Sequence, residues 1–132
     1  MMTTVIHFAG NCNEAISFYK ETLGAEIKSI NYFKDAPENH GMEQLPADFV
    51  MHSEILILGQ MIHMSDGAKG NFSGDNFSFM ITKDTTDEVS KAFHQLSEGG
   101  KIIEELAPTF WASMYGMVVD RFGICWQVMT AE

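Results

Sequence analysis

An internal repeat constrains the fold of this chain more than any other feature of its sequence. Apolar residues form a stripe at helical spacing in NCNEAISFYKETLG (11–24) and again in TTDEVSKAFHQLSEGG (85–100), so each segment predicts an amphipathic helix. One strand-like run precedes each helix, and three such runs follow it. Each half of the chain therefore predicts a β-α-β-β-β module, and the tandem repeat indicates duplication of one supersecondary unit.

The ends of the two helical segments carry recognisable signals. Asn11 and Thr85 occupy the N-cap positions, and Glu14 and Glu88 follow three residues later, which is the pattern of a capping box. Gly24 follows the last apolar residue of the first helix, where glycine readily adopts the left-handed conformation that ends a helix. The sequence therefore predicts a side-chain cap at the start of each helix.

An insertion distinguishes the first module from the second. Asn11 and Gly59 are 48 positions apart, whereas Thr85 and Gly123 are 38 positions apart. The difference of 10 fits inside KDAPENHGMEQLPAD (34–48), whose proline, glycine and acidic residues are typical of a loop. With this loop set aside, the two modules align throughout.

A single domain is expected to contain both modules. Module one is predicted at about 1–66, module two at about 75–132, and a linker at 65–76, within one domain spanning 1–132. The hydrophobic content of 45% and the charged content of 20% are those of an ordinary soluble globular protein.

Composition and charge exclude several functions. The eight Lys and Arg residues are scattered, and the formal net charge is −10, so nucleic acid is not an expected partner. The two cysteines form no CxxC pair and predict no disulfide framework. The first residues lack the features of a signal peptide, and the longest apolar stretch is too short to span a membrane. We therefore expect a soluble cytoplasmic protein.

The alignment of the modules pairs two polar residues within apolar runs. His63 lies four residues after Gly59 in GQMIHM, and Gln127 lies four residues after Gly123 in GICWQV. If the modules pack as a pseudo-twofold pair, the two-residue period of a strand lets both side chains face a common interior. The alternative is that both are ordinary core polar groups whose hydrogen bonds are satisfied within the protein.

Three segments carry a resemblance to a known family. They are HFAGNCNEAISFYKETLGAE (7–26), MHSEILILGQMIHMSD (51–66) and PTFWASMYGMVVDRFGICWQVM (108–129). Together they resemble the PhnB-like branch of the vicinal oxygen chelate superfamily, which includes glyoxalase I, extradiol dioxygenases and bleomycin-resistance proteins. The resemblance implies an α+β fold in which the modules form a curved, cup-like mixed sheet with helices outside. It also implies a homodimer.

The same resemblance implies where a metal would bind. In metal-using members, each module gives one ligand from its first strand and one from its last, and the last-strand ligand is commonly the glutamate of D-x-x-G-x-x-x-E. Here DRFGICWQ places Gln127 at that position, with His63 in the matching place and the first-strand positions near Thr4 and Asn76. A neutral amide oxygen is a weak ligand for Zn, Ni, Mn or Fe. We therefore expect no tightly held metal, and His63 with Gln127 are the ligands if one is used.

The branch also carries the label 3-demethylubiquinone-9 3-methyltransferase. A methyl-donor site is not expected, because no glycine-rich nucleotide fingerprint follows a strand.

Four further residues are candidates for a ligand site. His52 and Glu54 share one face of a predicted strand, and a His-Glu pair at this spacing can orient an imidazole for base chemistry. Cross-strand pairing on a half-exposed sheet produces the same spacing. Trp111 and Tyr115 can form one wall of a largely apolar pocket, although ordinary packing at a sheet edge explains them equally well.

Two minor predictions concern the remaining histidines and methionines. His7 has the opposite strand parity to Thr4, so it is expected to point outward or against the helix. The ten methionines are expected mainly to fill space between sheet and helices.

Two functions from different classes remain. The preferred one is a protein that binds a small organic molecule in a concave cavity without a metal; its expected ligand-binding residues are His52, Glu54, His63, Trp111, Tyr115 and Gln127. The alternative is a divalent-metal-dependent lyase, isomerase or dioxygenase, in which the metal polarises adjacent substrate oxygens. Metal content separates the two.

Overall fold

The computed structural model describes residues 1–35, 46–68, 74 and 76–131. Most of the predicted insertion, and part of the predicted linker, lie outside these residues. The chain divides into two compact units, Met1–Asn71 and Phe72–Glu132, which we call module one and module two.

Module one has the predicted order of elements. These are β1 (Thr4–Phe8), α1 (Cys12–Leu23), β2 (Glu26–Tyr32), a short 3-10 helix (Phe33–Asp35), β3 (Val50–Ile57) and β4 (Gln60–Asp66). The strand order in its sheet is β1-β4-β3-β2. The β1 and β4 strands are parallel, whereas the other neighbours are antiparallel.

Module two repeats this arrangement. Its elements are β5 (Phe79–Lys83), α2 (Thr86–Ser97), β6 (Lys101–Ala107), β7 (Tyr115–Val119) and β8 (Cys125–Thr130). The strand order is β5-β8-β7-β6, with β5 and β8 parallel. The predicted α+β class and the two β-α-β-β-β modules are confirmed. Neither α1 nor α2 is long and apolar enough to cross a membrane.

In each module the helix covers one face of the sheet. In module one the buried strand residues include Ile6, Ile55 and Ile62, which alternate with more exposed neighbours. In module two, Phe93 of α2 packs so closely on Gly116 of β7 that an added Cβ would lie 2.7 Å from the ring. Glycine at position 116 is therefore what allows this close approach of helix and sheet.

We call the other face of each sheet its open face. The strand register assigns side chains to it, because residues directly opposite one another on neighbouring strands point to the same side. In module one the open face includes Val5, His7, His52, Glu54, His63 and Ser65. In module two it includes Met80, Glu104, Tyr115, Met117, Gln127 and Met129.

The predicted helix caps are confirmed in module two and wrong in module one. Thr85 accepts a hydrogen bond from the Glu88 amide at 3.1 Å, and its hydroxyl donates to the Glu88 carboxylate at 3.1 Å. Asn11 is the N-cap residue of α1, but its side chain makes no cap hydrogen bond. Gly24 ends α1 in the left-handed conformation, with φ of 67°, as predicted.

Asp66 takes over the role predicted for Asn11. It lies at the end of β4, is 7% exposed, and accepts hydrogen bonds from the Gly10 and Cys12 amides at 2.8 and 3.0 Å. Its other oxygen accepts from the Val50 amide at 2.9 Å. One carboxylate therefore joins the start of α1 to the start of β3.

Asp120 organises the turn that leads into β8. Its Oδ1 accepts from the amides of Phe122 and Ile124 at 2.9 and 3.0 Å, and its Oδ2 accepts from the indole Nε1–H of Trp126 at 2.9 Å. Gly123 in this turn has φ of 86°, a conformation that favours glycine. The aspartate, glycine and tryptophan of DRFGICW thus fix the entry of the strand that carries Gln127.

Candidate ligand-binding site

The open face of module one carries a row of side chains that crosses the sheet. Val5 of β1, His63 of β4, Glu54 of β3 and Ser29 of β2 are successive cross-strand neighbours. His52 precedes Glu54 by two residues and so lies on the same face. The structure therefore brings His52, Glu54 and His63 together in one module.

His52 and His63 form a hydrogen-bonded pair. The Nε2 of His52 lies 3.0 Å from the Nδ1 of His63, and the two rings meet edge to face with centroids 4.8 Å apart. Within the described residues, the partner of His52 is thus the neighbouring imidazole rather than Glu54. When both rings are neutral, one nitrogen of the pair donates and the other accepts, so each ring fixes the tautomer of the other.

His7 lies on the same open face, two residues along the sheet from this pair. Its side chain is exposed, and its Nδ1 lies 3.2 Å from the Ser65 hydroxyl. The expectation that His7 points outward or against the helix is therefore wrong, because it shares the face of His63. Thr4 points to the opposite side, opposite Ile62. The expected first-strand position near Thr4 is therefore wrong, since Val5 is the β1 residue beside His63.

The same correction applies in module two. Asn76 precedes β5, which begins at Phe79, and the β5 residue paired with Gln127 is Met80. Both residues next to His63 and Gln127 on the first strands are thus apolar. The strand pairing of Val5 with His63 matches that of Met80 with Gln127, which supports the alignment of the modules.

Gln127 is held at both ends of its carboxamide. The Tyr115 hydroxyl donates to its Oε1 at 2.8 Å, and its Nε2–H donates to the Ser78 hydroxyl oxygen at 2.8 Å. Burial raises the pKa of Tyr115 above its usual value, and the charges of Glu104 and Cys125 add to this effect, so the phenol keeps the proton that it donates. A glutamine in an apolar strand is satisfied here by two hydroxyl groups.

Sequence reasoning missed Ser78. It lies just before β5, two residues from Met80, and therefore has the strand parity of the side chain paired with Gln127. The expected first-strand position, Asn76, has the same parity but lies two residues earlier in the chain.

Trp111 and Tyr115 are also brought together. Their rings meet edge to face with centroids 5.3 Å apart, and the Phe110 ring also meets Trp111 edge to face, with centroids 4.8 Å apart. Thr109 fixes the loop, because its hydroxyl oxygen accepts from the Ala112 amide at 3.1 Å. Trp111 remains 45% exposed and Phe110 97% exposed, so this aromatic group borders the open face and is accessible.

The methionines do not fill the core as expected. Of those described, only Met64 is buried. Met80 and Met117 flank Gln127 on the neighbouring strands, and Met129 follows two residues later. These three side chains are exposed or half-exposed. They give the open face of module two a flexible, polarisable apolar surface.

The fold is that of the vicinal oxygen chelate superfamily. A fosfomycin resistance protein, FosX from Listeria monocytogenes, has this fold with a TM-score of 0.69 over 100% of this chain and 93% of FosX, at 10% identity. At that identity the likeness concerns the fold alone.

The chain belongs to the 3-demethylubiquinone-9 3-methyltransferase family, whose sequence profile matches residues 1–129. It is 33% identical to Protein YjdN of Escherichia coli (strain K12) over 139 positions, covering 96% of this chain and 92% of YjdN. A putative 3-demethylubiquinone-9 3-methyltransferase, PhnB protein, from Bacillus cereus is 28% identical. Its TM-score is 0.85, with 98% of each chain covered. The predicted PhnB-like resemblance is confirmed.

Proposed function

We propose that this protein binds a small organic molecule through the open faces of its modules, without a tightly held metal. The observation that carries the proposal is the pair of fixed polar side chains, His63 and Gln127, at equivalent positions of the two modules. Each is on a sheet face that its own helix does not cover, and each is held by neighbouring side chains. Polar groups fixed in advance lose little entropy when a ligand binds.

The donors and acceptors that these side chains leave unused indicate which polar group the ligand carries. The bond between His52 and His63 leaves two ring nitrogens, one a donor and the other an acceptor when both rings are neutral. Gln127 keeps one N–H and one lone pair of Oε1 after bonding to Ser78 and Tyr115. Each module thus offers one donor and one acceptor, which suits a hydroxyl, amide or hydroxycarbonyl group.

The residues present do not fit a tightly bound divalent metal. A variant of FosX is in complex with Mn(II) and 1S,2S-dihydroxypropylphosphonic acid, but here Gln127 supplies a neutral oxygen that already accepts from Tyr115. Val5 and Met80 occupy the adjacent first-strand positions. Within residues 1–35, 46–68, 74 and 76–131, no three His, Cys, Asp or Glu side chains are grouped to hold a metal ion.

A fragment screen with amide backbone mapping tests the proposal. Uncharged fragments that pair a hydroxyl or amide with an apolar ring are added to ¹⁵N-labelled protein, and chemical-shift changes are expected on the open faces. His63→Ala and Gln127→Ala should each weaken a mapped fragment about five-fold, since a hydrogen bond contributes about 1 kcal/mol. His94→Ala, on an exposed position of α2, is the control. Fragments that bind with equal affinity to all three variants contradict the proposal.

Comparing the two single variants tests whether both modules bind one ligand. The sequence predicts that His63 and Gln127 act on the same molecule, and this remains a prediction. If so, one fragment loses affinity in both single variants. If different fragments respond to each variant, the modules bind independently.

Metal analysis tests the enzymatic alternative. Protein purified without a histidine tag should contain far less than one equivalent of Zn, Ni, Mn or Fe, and titration with each ion should yield only weak binding. Near-stoichiometric metal that disappears in His63→Ala would favour a metal-dependent lyase, isomerase or dioxygenase instead.

Dimerisation is part of the proposal. Strand β6 lies at the edge of its sheet, and the consecutive residues Ile102 and Ile103 are 37% and 46% exposed. An exposed apolar edge strand is a ready surface for association. Light scattering should give a mass of two chains, and Ile103→Lys should shift it toward one chain, whereas His94→Lys on α2 should leave it unchanged.

A further inference from the structure

A carboxylate, that of Glu104, acts on Tyr115 on the open face of module two. Glu104 of β6 is paired with Met117 of β7, two residues from Tyr115. The charge of Glu104 contributes to raising the pKa of Tyr115, second to burial, which means that the carboxylate is within electrostatic reach of the phenol. Glu104 is exposed, so a ligand can approach it from solvent.

Three of the four basic residues of module two lie away from Glu104, and the fourth, Lys101, shares its face. Lys91 belongs to α2, Lys83 has the strand parity of the helix-covered face, and the Arg121 side chain donates to the Glu98 carbonyl at 3.2 Å. Lys101 has open-face parity, and its partner Val119 lies two residues along β7 from Met117, the partner of Glu104, so the two positions are about 7 Å apart along the sheet. Within the described residues, Glu104 nevertheless forms no ion pair with Lys101 or with any other lysine or arginine.

The aromatic rings beside this carboxylate are arranged to receive a cation. Trp111 and Tyr115 meet edge to face, and Trp111 is 45% exposed. Indole and phenol rings attract cations over their faces, and the attraction is strongest for tryptophan. The thioethers of Met117 and Met129 extend the same surface with polarisable apolar area.

We propose that the open face of module two binds an organic cation, a substituted ammonium group carried on a small apolar body. Glu104 supplies the opposite charge, the exposed indole of Trp111 receives the alkylated nitrogen, and the methionines contact the apolar part. This inference rests on the proposed small-molecule function and adds the charge class of the ligand. It also predicts rejection of anions, including phosphonates of the kind found in the FosX complex.

Three probes of nearly equal shape test the charge class. Choline is the cation, 3,3-dimethylbutan-1-ol is its neutral carbon isostere, and isethionate is the anion with the same hydroxyethyl arm. Binding is followed by the indole N–H signals of ¹⁵N-labelled protein. Trp111 should respond, whereas Trp126, which is 2% exposed and bonded to Asp120, serves as an internal reference. Choline should bind about ten-fold more tightly than the alcohol, and isethionate should not bind.

Matched variants measure how much Glu104 and Trp111 each contribute to choline binding. Glu104→Gln and Trp111→Leu should each weaken choline binding about two- to five-fold, with the side-chain amide of Gln127 as the readout for the second variant. Glu105→Gln removes the same charge from the next residue of β6, which is also exposed, and should leave affinity unchanged. An unmoved Trp126 signal in every variant verifies that module two remains folded.

The outcomes separate this inference from the function on which it rests. If the alcohol binds as tightly as choline at the same signals, the charge class is wrong and small-molecule binding stands. Tighter binding of isethionate, or equal effects of Glu104→Gln and Glu105→Gln, also overturns the inference. If none of the probes binds, the inference fails, and the fragment screen alone decides the proposed function.

Discussion

The two modules have the same strand order and pairing, but the side chains on their open faces differ in chemistry. On the open face of module one, His63 is bonded to a second imidazole, and His7, Glu54 and Ser65 lie nearby. On that of module two, Gln127 is flanked by Met80 and Met117. Duplication therefore preserved the strand pairing while the exposed side chains diverged, as expected when the buried face alone fixes the fold.

The modules also differ in how far apart in sequence their stabilising contacts are. In module two, Thr85 caps α2 through a residue three positions away. In module one, the start of α1 depends on Asp66, which is 54 positions from Cys12. A local contact can be read from a motif, whereas a distant one needs the fold.

The largest expected effect is the loss of Asp66. Asp66→Ala removes the acceptor of three backbone amides in a nearly buried position, and each unsatisfied amide costs about 1 kcal/mol. The free energy of unfolding in urea should fall by about 3 kcal/mol. Amide exchange at Gly10, Cys12 and Val50 should accelerate most.

Asp84→Ala is the control for this experiment, because Asp84 is an exposed residue and its loss should change stability by about 0.5 kcal/mol or less. A similar cost for the two substitutions would mean that Asp66 does not stabilise module one. Faster amide hydrogen exchange in module two, rather than at Gly10, Cys12 and Val50, would also contradict the proposed difference between the modules.

The cysteines provide a second contrast, since each module contains one. Burial raises the pKa of Cys12 to about 12, and the charge of Asp66 adds to the rise. Only the thiolate reacts, so Cys12 should react with a disulfide reagent at about pH 8 at least roughly 100-fold more slowly than a free thiol. Cys125, which is 8% exposed against 0% for Cys12, should react first.

The same shift has a consequence for stability. The pKa of Cys12 is higher in the folded protein than the ordinary value of 9.0, so the neutral thiol is the form that folding favours. The stability contributed by keeping the thiol neutral is complete below about pH 9 and is lost as the pH rises toward 12.

Mass spectrometry of modified peptides identifies which cysteine reacts with the disulfide reagent, and faster modification of Cys12 would contradict this account of its burial.

A third prediction uses the equivalent positions Val5 and Met80. Val5→His places an imidazole beside His63 and, one strand further, Glu54, which gives three potential zinc ligands across adjacent strands. Met80→His lies beside Gln127 and gains no such neighbours from its own sheet. Zinc should therefore bind to the Val5→His variant about ten-fold or more tightly than to the Met80→His variant, as measured by calorimetry.

The matched substitution keeps this test informative. Both variants add one histidine to an exposed position on a first strand, so binding due to a lone surface imidazole is the same in each. Equal zinc affinities would show that the side chains at positions 5, 54 and 63 do not bind one zinc ion together. Removing His63 from the Val5→His variant should abolish the difference.

Much of the fold follows from the sequence, because the signals for it are local or periodic. The stripe of apolar residues, the Thr85 cap and Gly24 predict the helices, and the repeat predicts the module. Strand parity also placed His52 and Glu54 on one face. The errors arose where a contact joins distant residues, as between Asp66 and the start of α1.

The candidate site was predicted less completely for a related reason. Gln127 was recognised as an unusual strand residue, but its partners Ser78 and Tyr115 are 49 and 12 positions away. Their selection depends on which strands are neighbours and in which register. The exposed methionines were also misjudged, because an apolar residue type indicates burial and does not specify which face of a sheet it covers.

The smallest effect is expected at the helix starts, where the two modules should differ in how strongly their stability depends on their own N-cap side chain. Thr85→Ala removes the acceptor for the Glu88 amide and should lower the free energy of unfolding by about 1 kcal/mol. Asn11→Ala should cost about 0.3 kcal/mol or less, since the Asn11 side chain makes no cap bond and Asp66 serves the helix instead. Urea denaturation of both variants measures the difference. Equal costs would mean that the Asn11 side chain caps α1 in solution, and module one would then follow the local rule that holds for module two.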